Sequence, residues 1–216
     1  MNGLMSGEDT DFMASFTKLK TLMLGGMPNV NLNFLSNLGQ LEILVLNFED
    51  EPDLRPLSQA PSLKDLTLCS TTIKDVSAIS SLENLVRLDL FCPSVRDLRP
   101  LSGLKNLEEL WVQGITADDS SVLGGLSGLK KLNIWGEENL DFLSRLNNLE
   151  HLTIELVGQN PSFDSQNLSQ MLVLEFLSLS YSGKRSEMIV LSTLPNLRVV
   201  WMNGRMITDM SEFAGD

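Results

Sequence analysis

Apolar residues recur along this chain in a fixed phrase. In the stretch Val95 to Gln113, Leu98, Leu101, Leu104, Leu107, Leu110 and Val112 stand 3, 3, 3, 3 and 2 residues apart. Steps of three drift around a helical wheel and mark no continuous amphipathic helix, whereas the closing step of two is the alternation of a strand. The phrase therefore predicts a tight turn element handing over to a short strand. Taking the first Leu of each Leu-x-Leu pair as anchor gives Leu22, Leu44, Leu66, Leu88, Leu110, Leu132, Leu152 and Leu177, with Val200 closing the series. The spacings are 22, 22, 22, 22, 22, 20, 25 and 23. A period held this long predicts a stacked array in which each repeat buries its apolar face only against its neighbours. Leu66, Leu68, Leu88, Leu90, Leu110, Val112, Leu132 and Ile134 should be buried, on parallel strands spaced about 4.8 Å apart.

An acceptor accompanies the pattern. Nine residues after the anchors stand Asp53, Asp75, Asp97, Asp119, Asp141 and Asp209, with Asn31 in the first repeat. A short polar side chain ahead of an apolar trio is what capping a helical turn requires, and Pro56 and Pro100 suit a first turn. Asp97 should accept from backbone N–H groups of the turn beginning at Leu98. Phe12, Met13 and Phe16 fall at half-repeat offsets and predict a cap over the first repeat. A C-terminal half repeat is expected from Ile207 to Phe213.

The phrase L-x-x-L-x-x-L-x-L, as in Leu38, Leu41, Leu44 and Leu46 or Leu82, Leu85, Leu88 and Leu90, resembles that of leucine-rich repeat proteins. The resemblance runs from about Asp11 to Phe213. It is nearest to the 22-residue class of internalins and of a regulatory subunit of protein phosphatase 1, through Ile73, Asp75, Val76 and Ile79, then Val95, Asp97, Leu98, Pro100, Leu101 and Leu104, then Ile207, Asp209, Met210 and Phe213. It implies an α/β solenoid with a curved parallel sheet on the concave face and short helical or 3-10 turns on the convex face. One departure is plain: the family's Asn five residues after the anchor is replaced by Met27, Glu49, Thr71, Pro93, Ile115, Glu137, Val157, Ser182 and Arg205. The unbroken repeat predicts a single domain over 1–216, with a cap at 1–15, about nine repeats over 16–203 and a half repeat at 204–216.

Charge narrows the function. With 16 Lys and Arg against 28 Asp and Glu, the net charge is −12. Nucleic acid is therefore not an expected partner, because phosphate binding needs clustered cations. No run of 18 apolar residues and no basic flank before an apolar core occurs, so neither a membrane span nor a secretory signal is expected, and the reading is cytoplasmic. Cys69 and Cys92 sit at different offsets and should not pair. The acidic run Glu49, Asp50, Glu51 and Asp53 lacks the spacing of a cation loop. No metal or cofactor site is expected.

Catalysis finds little support. His151, Glu155 and Ser178 can be drawn as a serine, histidine and acid set, but a flat strand face offers no pocket and no oxyanion donors. Gly124, Gly125 and Gly128 lack the lysine of a nucleotide loop. The regularity breaks between Leu152 and Leu177, where a longer loop from Val157 to Gln170 should leave the stack. Lys184 and Arg185 put a basic spot in the turn from Ser182 to Glu187.

What remains is the strand surface. Residues at −1, +1 and +3 from each anchor should face outward, giving 27 positions, one eighth of the 216. All three tryptophans fall among them, which random placement would achieve about once in 500 trials before discounting for the strand preference of aromatic residues. Phe91, Trp111 and Trp135 come from successive repeats and should form one exposed apolar diagonal, bordered by Asp65, Asp89, Glu109 and Glu155 and relieved by Arg87 and Lys131. Exposed aromatics ringed by acids predict a protein partner with basic groups. The expected function is a non-enzymatic interaction module, a regulator or inhibitor of a cytosolic protein. The alternatives are a delivered or surface factor recognising a host protein, and the recognition part of an enzyme.

Overall fold

The structure is a computed structural model that describes residues 7–26, 30–114, 120–136, 140–156, 163–180, 185–207 and 209, with only the backbone of 7–9 and 185–188. Ten strands form one sheet in sequence order: β1 Thr21–Gly25, β2 Ile43–Asn47, β3 Asp65–Cys69, β4 Arg87–Phe91, β5 Glu109–Gln113, β6 Lys131–Gly136, β7 His151–Leu156, β8 Phe176–Ser180, β9 Val199–Met202 and β10 Arg205–Ile207. The first nine are parallel and in phase, so Leu66, Leu88 and Leu110 lie side by side. In-phase pairing follows from the constant period, because one residue of slip would turn every inward leucine to solvent.

All eight residues predicted as core are buried, within one apolar cluster that runs through the stack. Between strands the chain makes 3-10 turns, including Asn33–Asn37, Arg55–Gln59, Ser77–Ser81, Arg99–Gly103 and Asp141–Arg145. These pieces are too short for α-helix, and each sends one or two apolar side chains inward, such as Leu57, Ile79 and Leu101.

The expected acceptors start these turns. Asn31 accepts from Asn33 N at 3.0 Å, Asp53 from Arg55 N at 3.0 Å, Asp75 from Ser77 N at 2.7 Å and Asp97 from Arg99 N at 2.9 Å. The exception is Asp141. Its repeat is two residues shorter, so the offset of nine falls inside the turn, and its carboxylate instead accepts from Asn167 Nδ2 at 3.3 Å. In the long repeat the capping role passes to Asp164, which accepts from Gln166 N at 2.8 Å. Asp119 and residues 157–162 of the loop expected from Val157 to Gln170 lie outside the described residues, while Ser165–Leu168 within it forms a 3-10 turn with Ser165 and Leu168 buried. Lys184 also lies outside the described residues, and the side chain of Arg185 is not described.

A different ladder replaces the missing asparagines. Asn84, Asn106, Asn148 and Asn196, four residues before their anchors, donate from Nδ2 to the carbonyls of Pro61, Glu83, Ser127 and Leu172 one repeat back, at 2.7–3.0 Å. Nearer the sheet, single carbonyls serve two donors. Val86 O accepts from Glu108 N and Glu109 N at 2.8 and 3.0 Å, and Lys64 O accepts from Val86 N and Arg87 N at 2.8 and 2.9 Å. These bonds satisfy backbone groups that a strand of five residues leaves open as it enters the sheet.

Both ends of the described stack are built unlike the repeats between them. Residues 7–15 form a 3-10 run in which Met13 is buried in the core and Ala14 packs against it; Phe12 and Phe16 stay 45% and 48% exposed and meet each other edge to face at 5.8 Å. At the far end the chain turns back at Asn203 and Gly204, with φ of 50° and 77°, and β10 pairs antiparallel with β9. Positive φ at both central residues is the geometry that lets a two-residue turn follow the twist of its strands. A hairpin thus follows the last parallel strand as far as Ile207, and residues 208 and 210–213 of the half repeat expected from Ile207 to Phe213 lie outside the described residues.

Candidate functional site on the outward strand face

Alternation brings the side chains at −1, +1 and +3 to one face, and the in-phase register sorts them into columns. Trp111, on β5, stands between Asp89 of β4 and Asn133 of β6. It is 40% exposed, and Val112 beside it returns to the core. Phe91 is half-buried, and its ring meets the Trp111 indole at a centroid distance of 5.2 Å and 72° between planes. This edge-to-face contact makes one apolar ledge across two strands.

Trp135 does not join that ledge. It is 40% exposed but stands in the +3 column two strands from Phe91, with Gln113 of β5 beside it on one side and Glu155 of β7 on the other. The predicted diagonal is therefore a contacting pair and a separate third aromatic. A second exposed apolar pair was not anticipated: Trp201 on β9 lies directly opposite Met206 on β10, and both are exposed. The Asn203-Gly204 dipeptide, a hairpin signal, was the clue that would have brought these two together.

The bordering acids divide by environment. Asp89 is only 8% exposed and accepts from Arg87 Nη2 at 2.8 Å, Arg87 Nε at 3.3 Å and Thr67 Oγ1 at 3.4 Å. It is a positioning acid under Arg87, not a carboxylate presented to solvent. Glu109 pairs with Lys131 at 2.7 Å and more loosely with Arg87 at 3.9 Å. Asp65, half-buried between Ile43 and Arg87 in the register, makes neither a hydrogen bond with its side chain nor an ion pair. Burial holds its carboxyl above the ordinary range; Arg87 pulls it back down, and Asp89 and Glu109 push it up again. Glu155 is exposed beside Trp135.

The drawn catalytic set does not assemble. His151 stacks on Phe176 with centroids 5.8 Å apart, and Ser178 lies opposite Thr153 in the register. Among the described residues no group of three metal-binding side chains occurs, and no helix is long and apolar enough to cross a membrane. Both cysteines are free; Cys92 is buried, and burial pushes its thiol up to about 12. Two depressions among the described residues lie away from the aromatic ledge. One of about 440 Å³ follows the strand entrances along Lys20, Glu42, Lys64 and Val86, where Glu42 bridges the two lysines at 3.0 and 3.1 Å. The other, about 190 Å³, lies among Glu51, Asp53, Arg55 and Asp75 on the turn side.

Comparison with known proteins agrees with this architecture. No protein-family profile matches the sequence, and no curated protein matches it. Among solved structures, an internalin C2 of Listeria monocytogenes superposes with a TM-score of 0.68 at 25% identity, covering 88% of this chain and 83% of that one. An internalin, InlF, of the same organism gives 0.64 at 20% identity, covering 89% and 69%. The chain is a leucine-rich repeat solenoid, with the strand face concave and the 3-10 turns convex. These two solved neighbours are internalins, and leucine-rich repeat neighbours suggest a protein-interaction module in general.

Proposed function

We propose that this protein binds a partner protein on its concave strand face, through the ledge of Phe91 and Trp111, and acts in the cytoplasm as a non-enzymatic regulator or inhibitor of that partner. The observation that carries the reading is the ledge itself: two aromatic side chains in ring contact on a face that no other part of the described chain covers. Large aromatics held at fixed geometry dominate interface energies, since they bury much area while losing few rotamers on binding. Trp135 and Glu155 extend the surface towards β7, and Glu109 and Asp65 border it towards β3.

The test compares Trp111→Ala with Lys105→Ala, an exposed turn residue away from the face. The partner is first captured from native lysate, identified by mass, and purified. Trp111→Ala is expected to fold like the wild type and to weaken binding by about 2 kcal/mol, roughly thirtyfold. Equal affinities for the two variants would move the site elsewhere on the molecule. The compartment and the identity of the captured protein distinguish a cytosolic regulator from a surface or delivered factor.

A further inference from the structure

Resting on that reading, we infer that the ledge is one half of a two-part socket whose other half is Asp65, and that the partner inserts a lysine or arginine there beside an apolar side chain seated on Phe91 and Trp111. Charge is unbalanced across four neighbouring strands. Three carboxylates, Asp65, Asp89 and Glu109, face two cations, Arg87 and Lys131. Both cations are committed elsewhere: Arg87 to Asp89 at 2.8 Å, Lys131 to Glu109 at 2.7 Å. Asp65 is left over, half-buried, with Ile43 on one side and Arg87 on the other.

An ionised carboxylate in such a place is poorly solvated and unpaired, so an incoming cation gains more from it than from an exposed acid. Ile43 and Val45, both half-buried on β2, offer the aliphatic stem of that cation a surface to lie along. The distance suits a single segment of a partner. Asp65 and Trp111 are two strands and two residues apart, about 12 Å at ordinary sheet spacings, which neighbouring side chains of one extended or helical segment can span. A second copy of this chain is disfavoured as occupant, since it carries a net charge of −12 and would bring the same acidic face.

The carboxyl itself offers an independent readout. Burial and the neighbouring acids hold the folded value above the ordinary 3.8, so the folded protein binds this proton more tightly than the unfolded chain does. Ionisation of Asp65 therefore erodes stability as pH rises from the ordinary value through the raised one, and the loss persists at neutral pH. Asp65→Asn should raise the melting temperature at pH 7, by about 1–2 °C, where removal of a structural acid would lower it.

A randomised linear-peptide display library is selected against the wild type, Asp65→Asn and Trp111→Ala. Wild type should enrich peptides bearing a lysine or arginine near an aromatic or branched apolar residue. Asp65→Asn should keep the apolar preference, lose the basic one, and bind the best wild-type peptide about tenfold more weakly. Wild-type peptides without a basic preference, or a preference unchanged in Asp65→Asn, would overturn the socket while leaving the ledge standing. No difference between wild type and Trp111→Ala would overturn the proposed function itself. A melting temperature lowered in Asp65→Asn would make Asp65 a structural residue and also overturn the socket.

Discussion

Phe91 and Trp111 touch edge to face with centroids 5.2 Å apart, although they stand at different offsets, three and one residues past their anchors, on neighbouring strands. The contact is diagonal, not directly across the register, where Trp111 faces Asp89. A diagonal pair of this reach is available only to large side chains. Each ring thus holds the other in place before any partner arrives.

That relationship can be measured. A double-mutant cycle over Phe91→Ala and Trp111→Ala, followed by chemical denaturation, should give a coupling of about 0.5–1.5 kcal/mol. A coupling indistinguishable from zero would mean that the rings do not order each other in solution.

Capping by Asp97 has a pH signature. Its carboxylate accepts from Arg99 Nε and Nη2 at 2.9 and 2.8 Å and from Arg99 N at 2.9 Å, which together lower its carboxyl to about 2 from an ordinary 3.8. A depressed folded value means that the stabilisation is fully present above the unfolded value and disappears as pH falls through the folded one. The wild type should therefore lose its advantage over Asp97→Ala between about pH 4 and pH 2, read as converging melting temperatures. Asp75→Ala, which lacks the arginine partner, should cost about 1 kcal/mol at neutral pH through loss of the cap alone. Melting curves for Asp97→Ala that run parallel to wild type across this range would remove the capping explanation for that residue.

Two glycines with nearly equal φ separate conformation from crowding. Gly26 and Gly114 adopt φ of 68° and 69°, but an added Cβ meets nothing within 4 Å at Gly26 and lies 2.9 Å from Pro93 Cβ at Gly114. Gly26→Ala should cost about 1–2 kcal/mol from the left-handed backbone alone. Gly114→Ala should cost measurably more, because the Pro93 ring is too rigid to withdraw. Equal losses in denaturation would show that the turn opens freely at Pro93.

Thiol labelling should divide the cysteines. Cys69 is half-buried on the strand face, whereas Cys92 is fully buried, its thiol pushed up to about 12 and directed at Leu68 O at 3.6 Å. One thiol should react with a small aromatic disulfide under native conditions, and the second only as fast as the stack opens. Rapid labelling of both, located by peptide mapping, would contradict the packing around Cys92.

The sequence by itself determined the frame: the number of parallel strands, their register, the inward leucine columns and the acceptors at Asp53, Asp75 and Asp97. It could do so because a constant period leaves one in-phase pairing that buries every repeat, and because an acceptor two residues ahead of its donor is a local matter. It also held the turn dipeptide Asn203-Gly204, from which the final hairpin and the meeting of Trp201 with Met206 follow. Tertiary structure alone decided which outward side chains meet. Phe91 reaches Trp111 while Trp135, beside Gln113, makes no ring contact with it; Asp89 sinks beneath Arg87 while Asp65 forms no ion pair; and Phe12 turns to Phe16 while Met13 enters the core. Outward positions carry no burial constraint, so their contacts depend on rotamers and on competition among neighbours from several strands at once, which no spacing along the chain encodes.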